Sequence, residues 1–184
     1  MPRCSWASIE PELSYHDAEW GFPVSDDQEL FEKLTLESFQ SGLSWRTILV
    51  KRENFRSAFK GFDFAKVARF GDADVERLLG DAGIVRHRGK ITATINNAQR
   101  AKEMVNAEGS LGAFFWQYER DDRAAGEQAS VELAKELKKR GWRFVGPTTV
   151  YAFMQSVGLV NDHNKDCETG ARVDRARKAF KRPT

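Results

Sequence analysis

The chain predicts an all-helical protein, and three observations carry that reading. Apolar residues recur at three- and four-residue intervals through most of its 184 residues. Glycines and capping residues punctuate those runs at helix length. Strand signals are scarce, and no repeat of about 20 to 50 residues recurs. With 41% hydrophobic residues, including 13 Phe and five Trp, the chain can fill a large aromatic core. Residues 1–184 read as one compact domain, with room for two lobes.

The elements follow in order. Ser25-Asp26-Asp27-Gln28 reads as a capping box. The helix it opens carries Leu30, Phe31, Leu34 and Phe39 inward, and Gly42 ends that segment. Ser44 is the N-cap of a helix with Ile48, Leu49, Phe55 and Phe59, closed by Gly61. Residues 63–70 form a short helix with Gly71 after it. Asp72 opens another, with Val75, Leu78 and Leu79 inward, and Gly83 breaks it. Residues 89–108 make a long helix with Ile91, Ile95, Ala98 and Met104 on one face, and residues 111–118 a further apolar one. Residues 120–130 are charged or small with one Gly, and read as an exposed loop or poorly ordered insert. Residues 131–140 and 150–157 are helical again.

The net charge of +2 implies no polyanionic partner by itself; its distribution matters more. Residues 171–184 hold six bases against Asp174, and Lys138, Lys139, Arg140 and Arg143 form a second cluster. Both clusters equally suit solvated helix surface, and the first also a frayed tail. No apolar run is long enough to span a membrane, and the opening residues do not read as a signal peptide. A reducing cytoplasm is therefore expected, where two distant cysteines serve better as metal ligands than as a disulfide.

Three constellations carry chemistry. Cys4 and His16 lie near one end of the chain, His163 and Cys167 near the other. Two thiolates and two imidazoles suit a tetrahedral structural zinc, and the four-residue step from His163 to Cys167 lets both face one ion. The bland alternative is buried free thiols and ordinary histidines; no cysteine is left over, which favours zinc. Next, Lys139-Arg140-Gly141-Trp142-Arg143-Phe144-Val145-Gly146-Pro147 places a basic helix end, a glycine turn and a proline-led helix start in succession. That is the outline of a helix-hairpin-helix, whose free N–H groups around Val145 and Gly146 suit a phosphate; a simple glycine-capped turn fits equally. Third, Glu37 stands in an apolar helix end before Trp45, with Trp6, Tyr15 and Trp20 upstream. Aromatics plus one carboxylate suit a slot for a flat, electron-poor ring, but an aromatic core with Glu37 exposed gives the same pattern.

Together these residues resemble the 3-methyladenine DNA glycosylase I family. The likeness runs through Arg3-Cys4-x-Trp6, Tyr15-His16-Asp17-x-Glu19-Trp20-Gly21, Leu43-Ser44-Trp45 and Lys51-Arg52-Glu53-Asn54. It continues through Asp81-Ala82-Gly83-Ile84-Val85-Arg86-His87-Arg88-Gly89-Lys90-Ile91, Leu137-Lys138-Lys139-Arg140-Gly141, Phe153-Met154-Gln155 and Gly158-Leu159-Val160-Asn161-Asp162-His163. It omits residues 120–130 and the tail after Cys167. The resemblance implies a helix-hairpin-helix glycosylase fold with one structural zinc joining the termini through Cys4, His16, His163 and Cys167. It implies that Glu37 contacts a flipped base, that Tyr15 and Trp45 stack on it, and that Trp6 and Trp20 line the same pocket. Gly42 and Leu43 would approach the lesion in the duplex. The backbone at Val145 and Gly146, with Lys139, Arg140 and Arg143, would grip phosphates. The implied partners are double-stranded DNA containing alkylated adenine and the free product 3-methyladenine, with no membrane, for a monomer acting at the bacterial nucleoid. One departure is Phe39, where the family leads one to expect Gln.

Methylation at N3 makes the adenine cationic and weakens its glycosidic bond, so water suffices as nucleophile. No Lys stands at a marked hairpin position, which predicts base release without strand cleavage. Asp162 lies after the hairpin but beside a zinc ligand, and reads first as support for that ligand. A non-catalytic nucleic-acid-binding module with a zinc clip is the rival reading; it needs no carboxylate in an aromatic pocket. A zinc hydrolase needs an open metal position, which four protein ligands leave none of.

Overall fold

Side-chain caps decide where most helices of this chain begin. A computed structural model describes residues 2–184. After a short helix α1 (Glu12–Ala18), which the sequence pattern does not announce, Asp26 caps α2 (Asp27–Gln40) by accepting the Glu29 N–H at 2.9 Å. The predicted box is therefore displaced by one residue: Asp26, not Ser25, is the cap. Ser44 caps α3 (Trp45–Ala58) as expected. A 3₁₀ turn at Lys60–Phe62, α4 (Phe64–Val67) and α5 (Asp72–Gly80) lead to α6 (Arg88–Glu108), whose cap is the His87 ring. Then come α7 (Leu111–Phe115), a second 3₁₀ turn at Trp116–Tyr118, α8 (Arg123–Lys139), α9 (Pro147–Ser156) and α10 (Glu168–Ala179). No strand occurs among the described residues.

The main core is aromatic. Phe31, Phe39, Phe55, Phe59, Phe62, Phe115 and Phe153 are fully buried. Each contributes about 1.5–3 kcal/mol of burial free energy. A second, smaller cluster joins Cys4, Tyr15, Trp20, Leu49 and Cys167, with Trp45 packed against it. It brings the two chain ends together.

Two expectations require correction. Residues 120–130 are neither loop nor disordered: Asp122 caps α8 and most of the segment is helix. The small residues form its packing stripe, with Gly126, Ala129 and Ser130 buried. A Cβ on Gly126 would stand 3.0 Å from Val160 Cγ2 and 3.3 Å from Tyr151 Cε2, so α8 approaches α9 and its following segment too closely for a side chain. The basic tail is not frayed either. Residues Glu168–Ala179 form α10, with Val173 and Arg177 buried. Arg177 donates to the Arg120 carbonyl at 2.7 Å and Arg182 to Glu119 at 2.7 Å, so two tail bases are engaged inside the fold.

Inserting a large side chain at the α8 crossing should force the helices apart. Gly126→Leu is expected to destabilise the protein by about 1–3 kcal/mol, read as a lower urea midpoint. An unchanged midpoint would show that α8 is not held at this contact.

Candidate active site and metal cluster

The last turns of α2 and the first of α3 put one carboxylate among aromatic rings. Glu37 and Gln40 are three residues apart on α2, hence on one face. Together with Tyr15, Trp45, Trp6 and Trp20 they line a cavity of about 420 Å³, within the range of small-ligand sites. Tyr15 and Trp45 have ring centroids 5.3 Å apart with planes at 52°, so they are adjoining tilted walls. Trp6 meets Trp20 edge-on at 5.1 Å and is itself 39% exposed, at the rim. The far wall is made by Ala152, Gln155, Asp162 and Asn164, with Arg123 from α8.

Glu37 is buried and makes no hydrogen bond with the described residues; burial pushes its carboxyl up to about 8, with the Lys33 charge opposing. Lys33, one turn earlier, is buried and committed to Glu19 at 2.6 Å. Arg52 binds the same carboxylate at 2.8 Å. Burial pushes the Glu19 carboxyl up, but Lys33 and Arg52 outweigh it and hold it below its ordinary value. This charged group backs the Tyr15 ring, with Lys33 Nζ 5.6 Å from its centroid. Burial first, then the charges of Glu37 and Glu19, hold the Tyr15 hydroxyl well above its usual range. Lys90 reaches from α6 to donate to the carbonyls of Phe39 (2.8 Å) and Ser41 (2.6 Å), fixing the loop in which Gly42 turns at φ +81° and Leu43 is exposed.

Three of the four predicted metal ligands converge beside this cavity. One donor atom each from Cys4, His16 and Cys167 lies within 4.8 Å of the other two, and all three residues are buried. His163 stands next to them, its ring 5.0 Å from that of His16. Its Nδ1 is 2.8 Å from Asn161 Oδ1, which leaves Nε2 buried without a partner. Burial, then the neighbouring His16, lower the His163 ring to about 4, so it is neutral near pH 7. His16 Nδ1 is held by Asp17 at 2.8 Å, and the Asn164 N–H points at Cys4 Sγ at 3.3 Å. Outer groups of this kind orient ligating imidazoles and thiolates. The donor set suits one soft-to-borderline divalent metal, with an otherwise orphaned imidazole nitrogen to be satisfied.

Between α8 and α9 the chain turns through Gly141 (φ +83°) and Phe144 (φ +56°). Phe144 is bulky for that region, and neighbours hold it there. Asn97 binds the Arg143 N–H and carbonyl at 2.8 and 2.9 Å, and Ser38 Oγ donates to the Phe144 carbonyl at 3.0 Å. Val145 is fully buried, backbone included, so the outward-facing N–H expected there is not exposed; the half-buried Gly146 is the part of that step that reaches the surface. Pro147 starts α9, which has no side-chain cap at Gly146. Lys139 and Arg143 are exposed, whereas Arg140 is tied to Glu108 and Glu136 at 2.7 Å and lies over Phe114.

The sequence model of the methyladenine glycosylase family matches residues 6–170. DNA-3-methyladenine glycosylase 1 of Escherichia coli strain K12 is 46% identical over 179 residues, covering 91% of this chain and 96% of that protein. The chain belongs to the methyladenine glycosylase family. A relative from Haemophilus influenzae, DNA-3-methyladenine glycosylase, is 41% identical over 90% of this chain and 96% of its own length. The Staphylococcus aureus 3-methyladenine DNA glycosylase I, solved for its recognition of 3-methyladenine, superposes with a TM-score of 0.85 at 38% identity over 91% of this chain and 96% of that one.

For a methyladenine glycosylase, the sequence pattern points to the cavity's aromatics and its carboxylate. It does not point to Lys33, Glu19 and Arg52 behind them, nor to Gln155 and Arg123 opposite. A Lys four residues before Glu37 on the same face of α2 is the available signal for the first group. Arg123 carries none, because its segment reads as loop. Phe39 packs on Phe55 at 4.8 Å and is fully buried, away from the cavity.

The raised Glu37 carboxyl has a stability consequence. The folded state prefers it protonated, so the cost of Glu37 is absent near pH 4 and grows until about pH 8. Glu37→Gln should leave stability unchanged near pH 4 and raise it by a few kcal/mol at pH 9, since a tenfold change in proton affinity is worth about 1.4 kcal/mol. Urea unfolding at the two pH values measures this; equal stabilities at pH 9 would mean that Glu37 is solvated.

Proposed function

We propose that this chain is a monofunctional DNA glycosylase that hydrolyses the N-glycosidic bond of 3-methyladenine in alkylated double-stranded DNA. The observation that carries this is the buried Glu37 carboxyl, unpaired in an aromatic cavity. A buried charge without a partner is costly, and a cationic methylated purine supplies the partner. A cation beside Glu37 favours its ionised form, so base binding and ionisation support each other. Tyr15 and Trp45 add stacking and cation–π attraction, worth roughly 0.5–2 kcal/mol. Normal adenine has neither the charge nor the weakened bond. In the reaction the C1′–N9 bond breaks with its electron pair going to the base, which cancels the base's positive charge. Water bonds to C1′ and loses a proton. No lysine lines the cavity among the described residues, which favours water over an amine nucleophile. The rival reading, a non-catalytic binding module, gives no reason for such a carboxylate.

The metal that Cys4, His16, Cys167 and His163 would hold is zinc, in a closed four-ligand site that contributes structure and no open position for chemistry. The turn at 141–149 is a helix-hairpin-helix whose backbone at Gly146, with Lys139 and Arg143, takes phosphates without reading sequence. Arg140 braces that turn through its carboxylate pairs. Gly42 and Leu43 face the lesion. The protein works as a monomer in the bacterial cytoplasm.

A base-release assay on methylated duplex DNA tests the activity. The protein should release 3-methyladenine and leave the strand intact, and Glu37→Gln should slow release and weaken binding of the free base while the fold is kept. Parent-like release by that variant would put recognition elsewhere. Purified protein should hold one zinc per chain, and Cys167→Ser should lower zinc content and melting temperature together; free thiols with no zinc would sink the metal reading. Gly146→Glu, placed where a Cβ meets nothing within 4 Å, should weaken all duplexes alike and spare free-base affinity. Loss of base affinity in that variant would make the turn part of the pocket.

A further inference from the structure

The cavity that Glu37 dominates carries two carboxylates, Glu37 and Asp162, and among the described residues that line it a single cation, Arg123. The other bases nearby are committed: Lys33 and Arg52 both hold Glu19 behind Tyr15. Arg123 is different in three respects. Its side chain is 69% exposed at the rim. Its contacts are long, 3.3 Å to Glu127 and 3.5 Å to Asp162, against 2.6 Å for Gln155 on the same Asp162 oxygen. It also occupies the first residue of a 17-residue helix whose first turn holds no acidic residue. A cation there opposes the helix dipole, and an anion there is favoured. These long pairs leave the guanidinium exposed and free to take another partner.

A nucleotide turned into this cavity brings its base to the aromatic end and leaves its phosphates at the rim, since they are too strongly hydrated to follow. We propose that Arg123 clamps a phosphate flanking the flipped nucleotide, exchanging its loose Glu127 contact for a charge-assisted pair and holding the sugar in line with the cavity. The guanidinium fork suits a phosphate. Asp162, fixed by Gln155, remains to keep the arginine aimed across the rim. This rests on the glycosylase reading, and it assigns Arg123 as a binding and positioning residue rather than a chemical one.

The test compares the parent with Arg123→Gln and Arg123→Lys on three probes: a duplex with one tetrahydrofuran abasic site, the same duplex undamaged, and free 3-methyladenine. For the abasic duplex, Arg123→Gln should lower affinity about three- to tenfold near 0.1 M salt and flatten the log–log salt slope by about 0.9. Arg123→Lys should keep the parent's slope. Undamaged duplex and free base should bind both variants as they bind the parent, and KM for methylated DNA should rise more than kcat falls. An unchanged salt slope overturns the proposal. An equal loss on damaged and undamaged duplexes also overturns it, making Arg123 a general backbone contact. A parallel loss of free-base affinity overturns it as well, since Arg123 would then only brace Asp162. A parent that releases no 3-methyladenine sinks the glycosylase reading itself; a parent that does, with Arg123→Gln matching it on the abasic duplex, sinks this assignment alone.

Discussion

The site depends on one unfavourable thing: a largely buried carboxyl group at a cavity wall with no protein hydrogen-bond partner. Glu37 is held by the rigidity of α2, not by any partner. The cost is tolerable because the surroundings are arranged around it. Lys33 is close enough to temper the charge, yet Glu19 and Arg52 keep it from collapsing onto Glu37. A direct Lys33–Glu37 pair would satisfy the carboxylate and remove its appetite for a cation. The charged group behind Tyr15 is therefore as much a part of the cavity's electrostatics as the rings in front.

The second constraint is closure of the chain. The N-terminal segment supplies Trp6, Tyr15 and Trp20, and nothing in the covalent order brings it to α2 and α9. The buried cluster of Cys4, His16 and Cys167, with His163 beside it, does so. Trp20 lies 4.4 Å from the His163 ring, and Cys4 and Asn164 line both the metal cluster and the cavity. The two features stand back to back and share a wall. An ordered set of donors thus orders the rim of the pocket.

Much of this is legible in the sequence because the relevant residues act through periodicity and type. Ser44, Gly42 and the apolar spacing of α2, α3 and α6 announce their helices, and the cluster of Cys4, His16 and Cys167 announces itself through the two cysteines of the chain. What escapes is whatever depends on close approach or on charge partners distant in sequence. Gly126 and Ala129 look like disorder until α9 is laid against them. Arg177 looks like a solvated tail base until Glu119 and the Arg120 carbonyl surround it. Composition reports neither, because both are properties of a packed surface.

Phe39 shows how helix geometry separates recognition from packing. It lies two residues past Glu37, about 200° around the helix at about 100° per residue. Glu37 and Gln40 face the cavity, so Phe39 faces the opposite way, onto Phe55 and Phe59. A polar residue there would carry its amide into a core that offers aromatic rings as neighbours, and an unsatisfied buried amide costs about 1–3 kcal/mol. The phenylalanine, although it departs from the polar residue expected at that step, therefore strengthens the platform beneath Glu37 without touching the base. Packing of this kind anchors the last turn of α2 from the side opposite the cavity, so the core and the site share one helix without sharing residues.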